Sequence, residues 1–343
     1  MARASILLIY TGGTIGMKTD SASGALVPFD FNGIYEEFPS LRRLDVDIEV
    51  QNFRPIDSSN VTPGLWVELA RIIRKRYDEF DGFVVLHGTD TMSYSSSALS
   101  FMLENLDKPV VFTGSQIPIG VLRTDGRENL ITAIEIAAAK NDAGRAMVPE
   151  VALYFQNHLY RANRTTKHSA EELNAFRSDN YPALADVGVN IHYNKPFIRQ
   201  PEAAGHALEV TSQLDTSVVV VKIFPGMTES IFRSMLGIGG IRGVVLETYG
   251  AGNAPTSEWF LSALKETIER GVIVMNVTQC MSGSVSMELY ETGMRMQQTG
   301  VGCGRDITTE AAVTKMMYLL GKGLATAEVK EALCRSLRGE LTE

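Results

Sequence analysis

The chain has 343 residues, of which 45% are hydrophobic and 21% charged, and its formal net charge is −8. This composition is typical of a globular protein, and the length is enough for about two domains. The acidic balance, without a long basic run, argues against nucleic acid and against a membrane surface as partners.

The cysteines and the apolar runs predict a cytoplasmic protein. The three cysteines, Cys280, Cys303 and Cys334, have no C-x-x-C spacing, so neither a disulfide framework nor a zinc ribbon is expected. Reduced thiols are typical of the cytoplasm. The first apolar run, residues 6–10, is too short for a signal peptide, and no run approaches the ~20 residues of a membrane helix.

The chain opens on a predicted buried strand, residues 5–10, that runs into Thr11-Gly12-Gly13-Thr14-Ile15-Gly16. A strand that ends in paired glycines is typical of a ligand loop at the edge of an α/β sheet. The glycines lack G-x-G-x-x-G spacing, and residues 17–28 have no helical pattern, which disfavours a dinucleotide site. Two alternatives remain for Thr14: its hydroxyl faces a small substrate, or it only satisfies the turn's own backbone.

Predicted strands and helices then alternate. Strands are expected at residues 46–50, 83–86, 109–112 and 151–155, and helices at residues 63–77, 98–103 and 129–139. This alternation predicts a parallel sheet with right-handed crossovers.

The segment 199–216 predicts a linker, because it contains Gln200-Pro201-Glu202-Ala203-Ala204-Gly205 and no clear periodicity. We therefore expect a catalytic α/β domain over residues 1–198 and a second α/β domain over residues 217–343. In the second domain, strands are expected at residues 217–223, 243–246 and 272–277, and helices at 258–269, 308–320 and 326–337.

Polar residues follow the predicted strands of the first domain. The carboxyl ends of parallel strands share one edge of a sheet, where ligands bind. This edge should bring together Thr14, Asp57, Ser58, Ser59, Thr89, Asp90, Ser115 and Lys167. The set has no metal-ligand spacing, which favours a hydrolase that uses neither a metal nor a nucleotide cofactor.

A threonine hydroxyl attacks an amide or ester only with the help of a neighbouring base or an oxyanion site. Lys167 is the candidate base, and together with Asp90 it could relay a proton to Thr14 or Thr89. The alternative for Lys167 is a surface salt bridge. His87 is expected to be a hydrogen-bonded histidine at a strand end and not a catalyst.

Two of these stretches resemble the paired signature of bacterial-type L-asparaginases: Thr11-Gly12-Gly13-Thr14-Ile15-Gly16 and His87-Gly88-Thr89-Asp90-Thr91-Met92. Four further stretches resemble the cytoplasmic, type I branch of that family. They are Asp57-Ser58-Ser59, Asn163-Arg164-Thr165-Thr166-Lys167, Tyr249-Gly250-Ala251-Gly252-Asn253-Ala254-Pro255 and Leu337-Arg338-Gly339-Glu340. The resemblance covers essentially the whole chain.

The resemblance implies hydrolysis of L-asparagine to L-aspartate and ammonia, a step of asparagine catabolism, through an acyl-threonine intermediate and without a cofactor. Thr14 would be the nucleophile, and Thr89, Asp90 and Lys167 the catalytic relay. The substrate would be bound by Asp57, Ser58, Ser59, Thr89, Asp90 and Ser115.

The resemblance also implies two α/β domains, each a mainly parallel sheet flanked by helices. The N-terminal domain would be the larger, and the C-terminal domain flavodoxin-like or Rossmann-like. A homodimer or homotetramer is expected, in which Asn253 and Tyr290 complete the substrate site of a neighbouring subunit. Many members have a tyrosine about a dozen residues after the nucleophile, supported by a glutamate of a neighbouring subunit, whereas residues 24–28 have no tyrosine. The segment 282–293 contains Glu288 and Tyr290, and Tyr290 is placed at the site.

Three alternatives remain at the level of the sequence. The first is an amidohydrolase that prefers glutamine or another amide. The second is a non-catalytic amino-acid sensor that uses the same residues. The third, from the opening glycine loop, is an NAD-dependent oxidoreductase.

Overall fold

The computed structural model describes residues 3–19, 26–28, 31, 34–201, 207–289 and 291–343. The chain divides into two compact units, Met1–Ser212 and Gln213–Glu343. The division falls within the segment 199–216. Part of that segment belongs to the first unit, since Glu209–Val210 pairs antiparallel with Leu103–Glu104.

The first unit alternates strands with helices as far as residue 155, and its later described elements are strands and short 3-10 turns. Its strands are β1 Ala4–Gly12, β2 Met17–Thr19, β3 Leu26–Pro28, β4 Val46–Ile56, β5 Gly82–Leu86, β6 Leu103–Glu104, β7 Val110–Thr113, β8 Val151–Phe155, β9 His158–Arg161, β10 Thr166–Lys167, β11 Phe176–Arg177, β12 Ala185–Val187, β13 Ile191–Tyr193 and β14 Glu209–Val210. Its helices are α1 Ile34–Glu37, α2 Pro63–Arg76, α3 Met92–Met102 and α4 Gly126–Ala138.

Among the described residues, eight strands form the main sheet in the order β13-β12-β9-β8-β7-β5-β1-β4. Strands β4, β1, β5, β7 and β8 are parallel, as predicted. Strands β9, β12 and β13 are antiparallel, so the sheet is mixed. The reason is the turn between β8 and β9, where Gln156 and Asn157 both have positive φ. Two such residues make a tight hairpin, which joins antiparallel strands.

Both faces of this sheet are covered. Ile6 and Leu8 of β1 are fully buried in one core cluster with Leu130 of α4. Leu7 and Ile9 point to the opposite face, because side chains alternate along a strand, and they are fully buried too. The edge at the carboxyl ends of the parallel strands is therefore where polar loops can meet.

Three strands near the N-terminus differ from the sequence prediction. Strand β4 continues through Pro55 to Ile56, whereas residues 46–50 were expected. A proline is tolerated there because β4 lies at the edge of the sheet and Pro55 falls where the register with β1 is irregular, between Asn52 and Ile56. Strands β2 and β3 form an antiparallel pair where a loop was expected.

The second unit is also built from strands and helices in alternation. Its elements are β15 Val218–Lys222, α5 Glu229–Leu236, β16 Gly243–Thr248, α6 Glu258–Glu269, β17 Ile273–Thr278, α7 Glu291–Gln298, β18 Gly302–Cys303, α8 Thr309–Gly321 and α9 Thr326–Leu333. Within the described residues, the strands form a parallel sheet in the order β15-β16-β17-β18. Both units therefore have the α/β architecture that the sequence predicts.

The sequence pattern does not predict helices α5 and α7. Helix α7 contains Gly293, which weakens its helical signal. The glycine has a steric reason, because a Cβ at this position would lie 2.4 Å from the carbonyl oxygen of Met287. Among the described helices, none combines the length and the apolar character needed to span a bilayer.

Candidate active site

Three candidate residues each begin a short 3-10 turn that follows a strand. Thr14 begins the turn after β1, Ser58 the turn after β4, and Thr89 the turn after β5. Strands β4, β1 and β5 are parallel neighbours in the sheet. The three turns therefore emerge at the same edge, as the sequence predicts.

Glycines hold these turns close together. A Cβ on Gly12 would lie 2.3 Å from the carbonyl oxygen of Ile56, and a Cβ on Gly13 would lie 2.5 Å from the nitrogen of Gly88. Gly12 and Gly13 also have φ values of +122° and +85°, which L side chains rarely adopt. The hydroxyl of Thr91 donates to the carbonyl oxygen of Ser58 at 2.8 Å and so joins the turns after β5 and β4.

Lys167 joins two of the candidate catalytic residues. Its Nζ donates to Oγ1 of Thr89 at 2.8 Å and to Oδ1 of Asp90 at 2.6 Å. The Lys167 side chain is 18% exposed, whereas that of Asp90 is 61% exposed. The ammonium group is thus largely enclosed, while the carboxylate remains open to solvent. Thr14 is also exposed, on the turn after β1.

Gln116 contacts the same threonine, and the sequence does not predict this contact. The hydroxyl of Thr89 donates to Oε1 of Gln116 at 3.1 Å. Nε2 of Gln116 donates in turn to the carbonyl oxygen of Glu172, also at 3.1 Å. The Thr89 oxygen therefore accepts a hydrogen bond from Lys167 and donates its own proton in a hydrogen bond to Gln116. The one sequence signal available was the position of Gln116 in the loop after β7.

Asp57 organises the turn after β4. Its Oδ1 accepts from the backbone N–H of Ser59 at 2.9 Å and from the Ser59 hydroxyl at 2.8 Å. These two hydrogen bonds lower the pKa of the Asp57 carboxyl, the backbone bond more than the hydroxyl bond. Asp57 and Ser59 are exposed, whereas Ser58 between them is buried. The turn therefore presents an ionised carboxylate to solvent.

Two family models match most of the chain. The model described as "Asparaginase, N-terminal" matches residues 5–199. The model described as "Glutaminase/Asparaginase C-terminal domain" matches residues 217–333. The chain belongs to the asparaginase family.

Individual proteins are also similar to this chain over its full length. L-asparaginase 1 of Escherichia coli (strain K12) is 43% identical over 345 residues, which cover 100% of this chain and 99% of that protein. The 60 kDa lysophospholipase of Mus musculus is 41% identical over 100% of this chain and 64% of that protein. The crystal structure of L-asparaginase I from Vibrio cholerae has a TM-score of 0.90 and 39% identity, and the match covers 100% of both chains.

The remaining candidate residues are Ser115, Asn253 and Tyr290. Ser115 is 2% exposed and packs beside Gly126 at the start of α4; its hydroxyl has no hydrogen-bond partner among the described residues. Asn253 belongs to the second unit, where its Oδ1 accepts from the Thr292 hydroxyl at 2.9 Å. Tyr290 lies outside the described residues. The structure thus brings Thr89, Asp90 and Lys167 into contact, and does not do so for Ser115.

Among the described residues, no three His, Cys, Asp or Glu side chains are grouped in a way that could hold a metal ion. The groups at hand are hydroxyls, carboxylates, one ammonium and the N–H groups of short turns. Such groups bind a small zwitterion through charge-assisted hydrogen bonds and can move protons at its amide.

Proposed function

We propose that this protein hydrolyses L-asparagine to L-aspartate and ammonia. The observation that carries the proposal is the Lys167 ammonium group, which donates to Thr89 and Asp90 at the sheet edge where the Thr14 turn also emerges. Membership of the asparaginase family supports it. So does the 43% identity, over the full chain, to an Escherichia coli protein named L-asparaginase 1.

In this proposal Thr14 is the nucleophile. Its Oγ1 bonds to the side-chain amide carbon of asparagine, the C–N bond breaks, and ammonia leaves with the hydroxyl proton. Water then adds to the ester carbon, Oγ1 of Thr14 leaves and regains a proton, and aspartate is released. Thr89, Lys167 and Asp90 form the relay that moves these protons, because Lys167 lies within hydrogen-bond distance of both partners.

The charged end of the substrate is bound at the neighbouring turns. The α-ammonium group pairs with the carboxylates of Asp90 and Asp57, both of which are exposed. The α-carboxylate accepts hydrogen bonds from Ser58 and Ser59. Ser115 and Thr89 complete this set of contacts. Fixed charges at one end of the substrate hold its amide in a single orientation, which favours attack by Thr14.

We further propose that the enzyme works in the cytoplasm as a homodimer or homotetramer. Cys280, Cys303 and Cys334 are all free thiols, which suits a reducing compartment. The assembly brings Asn253 and Tyr290 of one subunit to the substrate site of a neighbour. The resemblance to type I asparaginases is the support for this arrangement.

The decisive experiment measures ammonia release from L-asparagine by the purified protein, without added metal or nucleotide. We expect release from asparagine, with L-glutamine and other amides tested in parallel. Release from glutamine but not asparagine would contradict the assigned substrate. Tight binding of asparagine by calorimetry without turnover would indicate a sensor and overturn the proposal.

A further inference from the structure

A chain of hydrogen bonds runs from helix α2 through helix α3 to the residue before Thr89. Nε1 of Trp66 donates to Oγ of Ser95 at 2.9 Å. Oγ of Ser95 lies 2.9 Å from Nε2 of His87, and Nδ1 of His87 lies 2.7 Å from the carbonyl oxygen of Gly88. Trp66, Ser95 and His87 are all buried, at 6%, 0% and 1% exposure. These hydrogen bonds are thus shielded from water.

The proton positions follow from the chemistry of the partners. An indole N–H can only donate and a carbonyl oxygen can only accept, so Nδ1 of His87 carries a proton. Burial lowers the pKa of His87 to about 4, so the imidazole is neutral and Nε2 accepts from the Ser95 hydroxyl. One arrangement of protons therefore satisfies every group in the chain.

The last hydrogen bond of this series, between His87 and the Gly88 carbonyl oxygen, fixes the orientation of the peptide that joins Gly88 to Thr89. Gly88 has no Cβ to restrict rotation of its carbonyl group, so the peptide needs an external anchor. Nδ1 of His87 supplies that anchor on one side, and the backbone of Gly13 packs against Gly88 on another. The hydroxyl of Thr89 has to meet Lys167 and Gln116 at hydrogen-bond distance, so a small shift of this peptide would break one or both contacts.

We propose that His87 is a positioning residue for Thr89. It holds the Gly88 carbonyl through Nδ1–H, and Ser95 and Trp66 fix which ring nitrogen carries the proton. His87 itself contacts no substrate in this arrangement and moves no proton. The inference rests on the proposed function, because it assigns His87 to the geometry of the catalytic relay.

The test compares Ser95→Ala with Ser96→Ala in the full-length protein. Ser96 is the next residue on α3 and is equally buried, and its hydroxyl donates to the carbonyl oxygen of Ser93. We expect Ser95→Ala to lower kcat for asparagine about 10- to 100-fold, with KM changed less than about threefold, because Thr89 is displaced while the charged substrate contacts remain. Ser96→Ala should stay within about twofold of the wild type in both constants.

A second measurement reads the proton positions without any substrate. Nitrogen-15 NMR of the imidazoles should show His87 protonated at Nδ1 only, with its signals assigned by their loss in His87→Asn. Ser95→Ala should show a mixture of both tautomers, which a general loss of packing would not produce. A proton on Nε2 in the wild type, or equal kcat for the two serine variants, overturns the proposal. A wild type with the Nδ1 tautomer that releases no ammonia contradicts the proposed function instead.

Discussion

Gly88 lies so close to Ser58 that a Cβ on Gly88 would be 2.5 Å from the Ser58 Oγ and 2.7 Å from the Ser58 Cβ. Gly88 has a φ of −67°, an ordinary value for any residue. The glycine is therefore required for space and not for backbone conformation. One missing side chain allows the turn that carries Ser58 to lie beside the turn that carries Thr89.

Gly88→Ala should lower kcat/KM for asparagine about 10- to 100-fold, because the new methyl group pushes the two turns apart. The control is Gly188→Ala, since a Cβ on Gly188 would meet nothing within 4 Å. Steady-state kinetics should be paired with thermal unfolding of both variants. Normal activity in a folded Gly88→Ala protein would show that the close packing of these turns is not needed for catalysis.

Removing the ammonium group of Lys167 should disable the proton relay. We expect Lys167→Met to lower kcat about 10²- to 10⁴-fold, the range of a lost general acid or base. Thr14→Ala and Thr89→Val should each lower turnover by several orders of magnitude. Lys195→Met is the matched control, because Lys195 is 64% exposed and its ion pair with Asp142 spans 3.9 Å. A folded Thr14→Ala enzyme with near-normal turnover would show that Thr14 is not the nucleophile.

The positions of Thr14, Ser58 and Thr89 could be predicted because each lies in the turn that follows a strand. Strand order then places their turns at one edge without any knowledge of side-chain packing. The partner of Thr89, Gln116, could not be predicted in this way. A glutamine has no chemistry that marks it as catalytic, and its contact depends on how the loop after β7 folds back.

The fold could be predicted where the hydrophobic periodicity is strong. The prediction failed where one or two residues determine the local structure. The hairpin between β8 and β9 depends on Gln156 and Asn157, which are not the usual glycine-containing turn pair. Helix α7 depends on tertiary packing, because its Gly293 lowers the local preference for helix. Such elements are determined by the surrounding structure more than by their own sequence.

Protein stability should fall between pH 7.5 and pH 5 because of His87. Its pKa in the folded state is about 4, against an ordinary value of 6.5, since burial disfavours the charged form. Below pH 6.5 the unfolded chain binds a proton that the folded chain does not, so stability is lost as the pH falls toward 4. The loss by pH 5 is about 2 kcal/mol.

Urea unfolding at the two pH values measures this loss. Between pH 7.5 and pH 5, the free energy of unfolding of the wild type should fall by about 2 kcal/mol more than that of His87→Asn. The variant has no imidazole to protonate at this site. His192→Asn is the control, because His192 is exposed and its removal should leave the wild-type difference unchanged. Equal losses in the wild type and His87→Asn would show that His87 does not cause the pH dependence.

The C-terminal stretch that contains Glu340 has a structural role in the second unit. Lys315 and Glu340 form an ion pair at 2.6 Å, and both side chains are 0% exposed. Burial alone would raise the pKa of Glu340, but the charge of Lys315 and the N–H groups of Leu337 and Arg338 hold it below its usual value. Glu340 therefore stays ionised and neutralises a buried lysine.

Glu340→Gln should lower the free energy of unfolding by about 3–5 kcal/mol, because it leaves the charge of Lys315 buried without its partner. Glu269→Gln should change it by about 1 kcal/mol or less, because Glu269 and Lys265 are exposed at 63% and 67% and lie 3.9 Å apart. Chemical denaturation of the two variants makes the comparison. Similar losses in both would mean that the buried pair contributes no more than an exposed one.

If Asn253 completes a neighbouring subunit's site, two inactive variants should restore activity together. In a mixed dimer of the two variants, one site contains both substitutions, because it takes Thr14 from the first subunit and Asn253 from the second. The other site contains neither substitution and is intact. Random mixing in equal amounts should recover about a quarter of wild-type activity, since half of the dimers are mixed and each has one working site of two. Thr14→Ala mixed with Thr89→Val should recover none, because both residues belong to the same subunit's site. Failure of the first mixture, with subunit exchange verified by mass spectrometry, would place Asn253 in its own subunit's site.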